Sequence, residues 1–263
     1  EGRIIGINTA IYSRSGGNQG IGFAVPINMA RNVLERLVAG GKVTRGYLGV
    51  FPQDIDAGLA KQFKLSNESG ALVGDVVPNG PADKGGVKPG DVILSVNGKN
   101  ITDANSLLLT VSQLLPGSEV ILKVSRNGFS KTLTVTLGER PDSLVTGKSD
   151  DEDSRTDSTS ADALDGVTVS DIVPQVRQQL RLPETVQGAL ITEVADDSNS
   201  AEAGLMPNDV IVEINRSPVK NAADAVRLCK SVRGEEILVK IWRRTGELAG
   251  TRFISVDNTK RTK

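Results

Sequence analysis

The chain contains no histidine, so the residue that most often serves as a catalytic base is missing. A Ser-His-Asp or Cys-His site cannot be completed from this chain alone, and histidine-ligated metal sites are excluded. Cysteine is almost as scarce, because Cys229 is the single example, and neither an internal disulfide nor a cysteine metal cluster can form. The sequence therefore predicts no metal site and no cofactor.

Aromatic residues make up only 3% of the chain and hydrophobic residues 38%, which indicates globular domains with aliphatic cores. The 31 basic residues nearly balance the 32 acidic ones, so no basic excess favours binding to nucleic acid. No apolar run is long enough to predict an integral membrane segment. A length of 263 residues suggests roughly two domains.

The chain does contain a long internal repeat, in which residues 49–123 return as residues 166–240 at an offset of 117 or 118. Gly-Val, Gly-Ala-Leu and Asp-Val-Ile stand at 49–50, 70–72 and 91–93, and again at 166–167, 188–190 and 209–211. This period is far longer than the roughly 20–50 residues of solenoid repeats. Each copy therefore has the size of a domain with its own core.

Both copies show the same order of predicted elements, mostly antiparallel strands with two or three helices. This order predicts a mainly β fold with some α (α+β), in which each copy is a half-open barrel. In the first copy the predicted strands are 71–77, 92–96, 119–126 and 131–137, and the predicted helices are 57–63 and 105–115. Asp91 and Asp209 follow Pro-Gly and Pro-Asn, a position that favours turn residues bonded to their own backbone.

The residues before the repeat form a different unit. Apolar, β-branched residues at 3–11 predict a buried strand, residues 21–27 predict a second apolar strand of the same hairpin, and a helix capped by Asn28 should follow. Because the sequence starts abruptly in a predicted strand, we expect it to begin in the middle of a domain whose first part is missing.

Between the copies, residues 148–162 hold six acidic and two basic residues. This composition predicts a disordered, solvated spacer, and an acidic switch segment is the alternative.

A loop at the start of the first copy is the best candidate for function. Glycines in Arg-Gly-Tyr-Leu-Gly-Val (45–50) let the chain turn so that successive backbone N–H groups converge into a nest for a carboxylate. The strand edge beside such a nest can take up a peptide as an extra strand. We expect Gly46, Tyr47, Leu48, Gly49 and Val50 to bind a peptide carboxylate, and Leu107, Leu108 and Val111 to line the peptide groove.

Together with Gly-Pro-Ala-Asp-Lys-Gly-Gly-Val-Lys-Pro-Gly-Asp-Val-Ile at 80–93, this loop resembles a PDZ domain of the HtrA (DegP/DegQ) serine proteases. The second copy is similar to their second PDZ domain. The front unit resembles the last strands of their trypsin-like domain. The resemblance implies a division into residues 1–41 (protease end and connecting helix), 42–140 (first PDZ domain), 141–162 (acidic linker), 163–257 (second PDZ domain) and 258–263 (tail).

The resemblance implies a periplasmic endopeptidase for protein quality control that degrades unfolded or misfolded proteins, binds C-terminal peptides and assembles from trimers. The family's nucleophile lies in a Gly-Asn-Ser-Gly-Gly motif that is expected just before this chain, and its His and Asp lie further upstream. This chain therefore holds no catalytic residue and should be inactive alone. By position, Ala10, Ile11 and Ile21 would form the wall of the primary specificity pocket.

The second copy departs from the pattern because Asp165 replaces Leu48 and no glycine matches Gly46. An acidic side chain repels a carboxylate, so we expect the second module not to bind C-termini and to serve assembly instead. Two alternatives to the interpretation as part of a serine protease remain. One is a non-catalytic tandem PDZ adaptor that binds peptides, and the other is an assembly module that uses both copies for oligomer contacts.

Overall fold

The computed structural model describes residues 2–13, 17, 20–40, 43–140, 161–246 and 248–259. Most of the expected acidic linker, residues 141–160, lies outside these ranges, and its last two residues belong to a strand. Strands outnumber helices in the described part of the chain, as the sequence predicts. None of the helices in these ranges is long and apolar enough to cross a membrane.

The front unit is a hairpin of β1 (Gly6–Ile11) and β2 (Gly22–Pro26), paired antiparallel, followed by α1 (Ile27–Gly40). The hairpin confirms the prediction, but its predicted burial is wrong, because most side chains of both strands are exposed. Within the described residues β1 and β2 contact each other and α1. Asn28 lies inside the first turn of α1, since the helix begins at Ile27, and it does not precede the helix as a cap.

The first module contains eight strands and three short helices, all within residues 46–139. They are β3 (Gly46–Tyr47), β4 (Val50–Gln53), α2 (Ala57–Gln62), β5 (Ala71–Val76), α3 (Pro81–Lys84), β6 (Val92–Val96), β7 (Lys99–Asn100), α4 (Ala104–Ser112), β8 (Glu119–Arg126), β9 (Phe129–Thr136) and β10 (Gly138–Glu139).

The second module repeats this order from residue 161 onward, with longer final strands. Its elements are β11 (Ala161–Leu164), β12 (Val167–Asp171), α5 (Pro174–Gln179), β13 (Ala189–Val194), α6 (Asn199–Glu202), β14 (Val210–Ile214), β15 (Ser217–Pro218), α7 (Ala222–Ser231), β16 (Glu236–Thr245) and β17 (Leu248–Asp257).

The two main sheets share a path and differ at one edge. In the first module the order is β4-β5-β6-β8-β9, and β3 pairs separately with β10. In the second module the order is β11-β12-β13-β14-β16-β17, so an additional strand stands beside β12, the counterpart of β4. Each sheet packs its apolar side chains with the longest described helix of its module, α4 or α7, into a core of its own.

A buried ion pair recurs at the same place in both modules. The Arg126 guanidinium donates to both carboxylate oxygens of Asp91 at 2.6 and 2.7 Å, and Arg243 does so to Asp209 at 2.6 Å for each oxygen. Both aspartate side chains are almost fully buried. Asp91 also accepts the Lys88 N–H at 2.9 Å, which confirms the predicted turn role. The first pair thereby joins the turn before β6 to the end of β8, and the second joins the turn before β14 to β16.

The two modules contact each other through β17, which is the edge strand of the second sheet. The amide of Gln53 pairs with the backbone of Phe253, because its Nε2 donates to the Phe253 C=O and its Oε1 accepts the Phe253 N–H, both at 2.8 Å. Thr251 donates its N–H to Asp75 at 3.0 Å and its hydroxyl to the Gly74 C=O at 2.8 Å. The side chains of Gln53 and Asp75 thus pair with backbone groups of β17, and the Gly74 C=O accepts the Thr251 hydroxyl.

An apolar cluster lies beside these hydrogen bonds and spans both modules. The rings of Phe63 and Phe253 meet edge to face with centroids 5.2 Å apart. Leu59 and Leu72 of the first module and Leu238 of the second belong to the same buried cluster. The contact between the modules therefore combines apolar burial with paired backbone groups, as a stable interface requires.

The ion pair gives a first testable prediction. Arg126→Met should lower the free energy of unfolding of the first module by about 3 kcal/mol, because the Asp91 carboxylate would remain buried without its charged partner. Urea denaturation of the whole chain measures the change. Arg243→Met is the matched variant and should affect the second module in the same way. A loss below about 1 kcal/mol in both variants would contradict a structural role for the pairs.

The interface gives a second prediction. Gly74→Val should separate the two modules, because a Cβ at residue 74 would lie 2.4 Å from the Thr251 C=O oxygen. The radius of gyration from small-angle X-ray scattering should rise while the circular dichroism spectrum stays native. Thr134→Val, an exposed β-strand position elsewhere in the first module, is the control and should leave the scattering unchanged. An unchanged radius in Gly74→Val would show that the modules do not rely on this contact.

Candidate functional site

The loop between β3 and β4 is held in place by its carbonyl groups. The Leu48 C=O accepts the Ala82 N–H at 2.8 Å, and the Gly49 C=O accepts the Val77 N–H at 2.9 Å. Gly49 has a φ of +79°, a left-handed conformation that a residue with a side chain adopts only under strain. The anchored carbonyls and this glycine fix the direction in which the intervening amides point.

The amides of the same loop are the groups left for a ligand. Within the described part of the chain, the N–H groups of Leu48 and Gly49 have no acceptor. Two successive backbone donors next to a left-handed glycine form a concave nest with partial positive charge. The chemistry of such a nest suits a carboxylate.

Gly46 lies against the end of α4, where a side chain has no room. A Cβ there would lie 2.5 Å from the Val111 C=O oxygen and 3.0 Å from that of Leu114. Its N–H donates to the Leu114 C=O at 3.1 Å. Tyr47, which follows, is half-buried, and burial raises the pKa of its phenol although Arg140 opposes the shift. Gly46 thus sets the distance between the loop and the helix that flanks the groove.

β4 is an edge strand, and in the described residues it pairs with β5 alone. Pro52 within it fits an edge position, because proline has no N–H to contribute to a ladder. Val50 is half-buried at the start of this strand, directly after the nest. The nest and an open strand edge are therefore continuous, which is the geometry that adds a peptide as a further strand.

The three residues predicted to line the groove differ in their exposure. Leu107 and Val111 are 1% and 5% exposed and lie in the core cluster that also contains Leu48. Leu108, by contrast, is 55% exposed on the surface of α4. Leu107 and Val111 thus contribute to the floor beneath the loop, and Leu108 offers apolar surface to solvent.

Sequence reasoning missed a residue at the far end of the groove. The Asp54 carboxylate accepts the Ala104 N–H at 2.9 Å and so ties the end of β4 to the start of α4. In the second module Asp171 accepts the Ala222 N–H at 2.8 Å in the same way. Both aspartates occupy matching positions of the repeat, so a comparison of the two copies could have indicated this contact.

The counterpart of the nest in the second module is arranged differently. Asp165, in the position of Leu48, accepts the Asn199 N–H at 3.1 Å through its carboxylate. Gly166 keeps the left-handed conformation of Gly49, with a φ of +69°. The residues before this turn form β11, which pairs with β12. The edge that is open in the first module is therefore covered in the second.

Ala10, Ile11 and Ile21, the expected pocket wall, lie together at one end of the front hairpin. Ile11 stands opposite Gly22 in the strand register, and the Tyr12 N–H donates to the Ile21 C=O at 3.0 Å. All three side chains are exposed. The hairpin brings the predicted residues close to each other, and in the described residues nothing else completes a pocket around them.

Cys229, the single cysteine, is packed inside the second module. Its thiol is buried on α7, and burial raises its pKa to about 12. The thiolate form is therefore scarce at neutral pH, and the buried thiol is unreactive in the folded domain. Elsewhere in the described ranges, no cluster of three or more acidic, cysteine or histidine side chains is arranged to bind a metal ion.

Comparison with known protein families finds two matches in this chain. Residues 46–137 and residues 190–243 each match the PDZ domain family. The first match extends from the start of β3 to the residue before β10, and the second covers β13 through most of β16. The two matched segments correspond to the two copies of the internal repeat.

Comparison with curated proteins finds probable periplasmic serine endoproteases described as DegP-like. The protein of Chlamydia trachomatis is 38% identical over 241 residues, which is 92% of this chain and 46% of the relative. The protein of Pseudomonas fulva is 36% identical over 237 residues, which is 88% of this chain and 47% of the relative. The chain thus spans about half the length of the curated relatives that it matches.

Among solved structures, an HtrA-type protease AlgW with a decapeptide is 41% identical to this chain. The matched region covers 53% of this chain and 43% of that protein, with a TM-score of 0.47.

Proposed function

Because the chain carries two PDZ domains and belongs to the HtrA-type, DegP-like family, we propose that it is the C-terminal part of a periplasmic serine endopeptidase. In this proposal the parent protein degrades misfolded proteins by acyl transfer through a Ser-His-Asp triad. This chain contains no histidine, so the triad must come from residues outside it. Its own role is to bind exposed C-termini or unfolded segments and to present them to the protease.

The observation that carries the binding role is the nest at Leu48 and Gly49 beside the open edge of β4. Two backbone donors without an acceptor in the described residues meet a strand whose outer edge is unpaired there. A bound peptide would place its terminal carboxylate on the nest and add itself to β4 as an antiparallel strand. Leu108 supplies apolar surface on the helix side, which favours apolar side chains near the peptide terminus.

The front unit supports the proposed attachment to a protease domain. Ile5, Phe23, Leu34 and Val38 are each at least half exposed, and these side chains together form a large apolar surface on a small unit. A surface of this kind needs a partner to cover it. We assign that partner to the remainder of a trypsin-like barrel, with Ala10, Ile11 and Ile21 facing its substrate pocket.

The domain division proposed for this chain follows the repeat. We place the first PDZ domain at residues 42–140 and the second at residues 163–257, with β11 favouring a start at 161 for the second. The second domain supports an additional role in assembly, because its peptide edge is covered by its own strand. Homo-oligomers built from trimers are the assembly that we propose for the intact protein.

Peptide binding is tested by a pair of glycine variants. Gly49→Trp should abolish binding of an apolar C-terminal peptide, because the side chain would strain the left-handed turn and fill the nest. Gly98→Trp is the matched control, since Gly98 has nearly the same φ, +78°, but no atom within 4 Å of its Cβ position. Calorimetric titration of both variants and of the wild-type chain measures the dissociation constant.

The same titration with a C-terminally amidated peptide tests the carboxylate. Amidation should weaken binding at least tenfold, because the nest recognises a negative charge. Equal binding of the free acid and the amide, or equal binding by Gly49→Trp and Gly98→Trp, would contradict the carboxylate nest. Either result would favour the assembly role as the main function of this region.

A further inference from the structure

We infer that β11 is a built-in ligand of the second PDZ domain, which fills the peptide groove and leaves the chain with one site for C-termini. This inference rests on the proposed function, since it takes the edge of β4 to be the peptide site of the first domain. It goes further, because it names what the second groove binds and what it therefore excludes.

β11 lies at the edge of the second sheet, beside β12. It pairs antiparallel with β12, and Leu164 stands opposite Val167, next to the turn at Asp165 and Gly166. β12 is the counterpart of β4, and β13 already occupies its other edge. β11 therefore stands where an added peptide would stand in the first domain, and it runs in the same antiparallel direction with its C-terminal end at the turn.

Leu164 of β11 packs into the core of the second domain. The strand packs against α7, the helix that flanks the groove. Leu164 is 8% exposed and shares a buried cluster with Val169 of β12 and with Ala225 and Cys229 of α7. A PDZ ligand places its terminal side chain between the same two elements, so Leu164 takes the position of an apolar C-terminal residue.

In the first domain the corresponding segment follows a different path. There the residues before the loop, β3, leave the groove and pair with β10, with Tyr47 opposite Gly138. The sequence explains the difference, because Asp-Gly at 165–166 is a strong signal for a two-residue hairpin turn, whereas Leu-Gly at 48–49 is not. The exchange of Leu48 for Asp165 therefore turns the preceding segment back onto the strand that would otherwise receive a peptide.

A peptide in solution competes poorly with this strand. β11 is joined to β12 by two residues, so its effective concentration at the groove exceeds by far that of any free peptide. The Asp165 carboxylate adds a negative charge at the turn, where the terminal carboxylate of a free peptide would lie. Both effects close the second groove to C-termini.

Cys229 offers a direct measurement that needs no peptide. Because it is the single cysteine and lies beneath β11 on α7, the rate at which a thiol reagent modifies it reports how often β11 leaves the groove. Leu164→Ser should raise this rate at least tenfold while far-UV circular dichroism stays native. Leu182→Ser is the matched control, because Leu182 is equally buried in the second domain but belongs to a separate cluster around Trp242.

The outcomes separate the inference from the proposed function. A wild-type rate in Leu164→Ser, or an equal increase in both variants, would overturn the inference. Calorimetry of the wild-type chain with a free-acid apolar peptide should give one site per chain, and two sites would also overturn it. If no peptide binds the wild-type chain, the proposed function fails, and the labelling rates then decide by themselves whether β11 holds the groove closed.

Discussion

An edge strand exposes a row of backbone N–H and C=O groups, and these groups must find partners. This constraint connects the main features of the chain, because the backbone groups at three of its sheet edges are treated in three different ways. β4 is open in the described residues, β12 is covered by β11, and β17 is capped by groups of the other module, including Gln53 and Asp75. The proposed peptide binding, the proposed closure and the contact between the modules follow from these three arrangements.

The two PDZ domains keep the same key contacts although most of their residues differ. The Asp–Arg pair, the contact from Asp54 or Asp171 to the helix, and the left-handed glycine at 49 or 166 are present in both. At the loop itself, Asp165 stands in the place of Leu48 before that glycine, and the preceding segment follows a different path. In the proposed function, one scaffold thereby provides a site for other chains in one copy and a site for its own strand in the other.

Contact between the modules places the peptide edge of the first domain next to the second domain. Gln53 ends β4, the strand proposed to receive the peptide, and its side chain pairs with the backbone of Phe253. Phe51 of the same strand lies about 3.3 Å from the position where a Cβ on Gly250 would be. The strand therefore has one open edge and side chains that contact β17, so the second domain fixes the position of the proposed peptide site.

Much of this architecture could be predicted from the sequence. The repeat gives the order of elements, and the strands at 92–96 and 119–126 have the predicted bounds, because their alternating apolar residues and flanking turns are local signals. The candidate nest depends on two glycines in a short loop, which is also a local signal.

The contacts that sequence reasoning missed join distant residues. Arg126 lies 35 residues after Asp91, and Gln53 lies 200 residues before Phe253, so no local pattern connects either pair. The repeat offset of 117 does relate Arg126 to Arg243 and could have marked the ion pair. The covering of β12 was missed because its acidic turn residue was interpreted as repulsion of a ligand and not as the turn of a hairpin.

Amide hydrogen exchange of the whole chain, with and without a free-acid apolar peptide, tests the account most directly. Because β4 is open and β12 is covered, the peptide should slow exchange at the amides of residues 50, 51 and 53 and leave residues 167–171 unchanged, since β11 and β13 already protect this strand in the free chain. Protection that appears at 167–171 only when the peptide is added, or no change at 50–53 under saturating peptide, would contradict it.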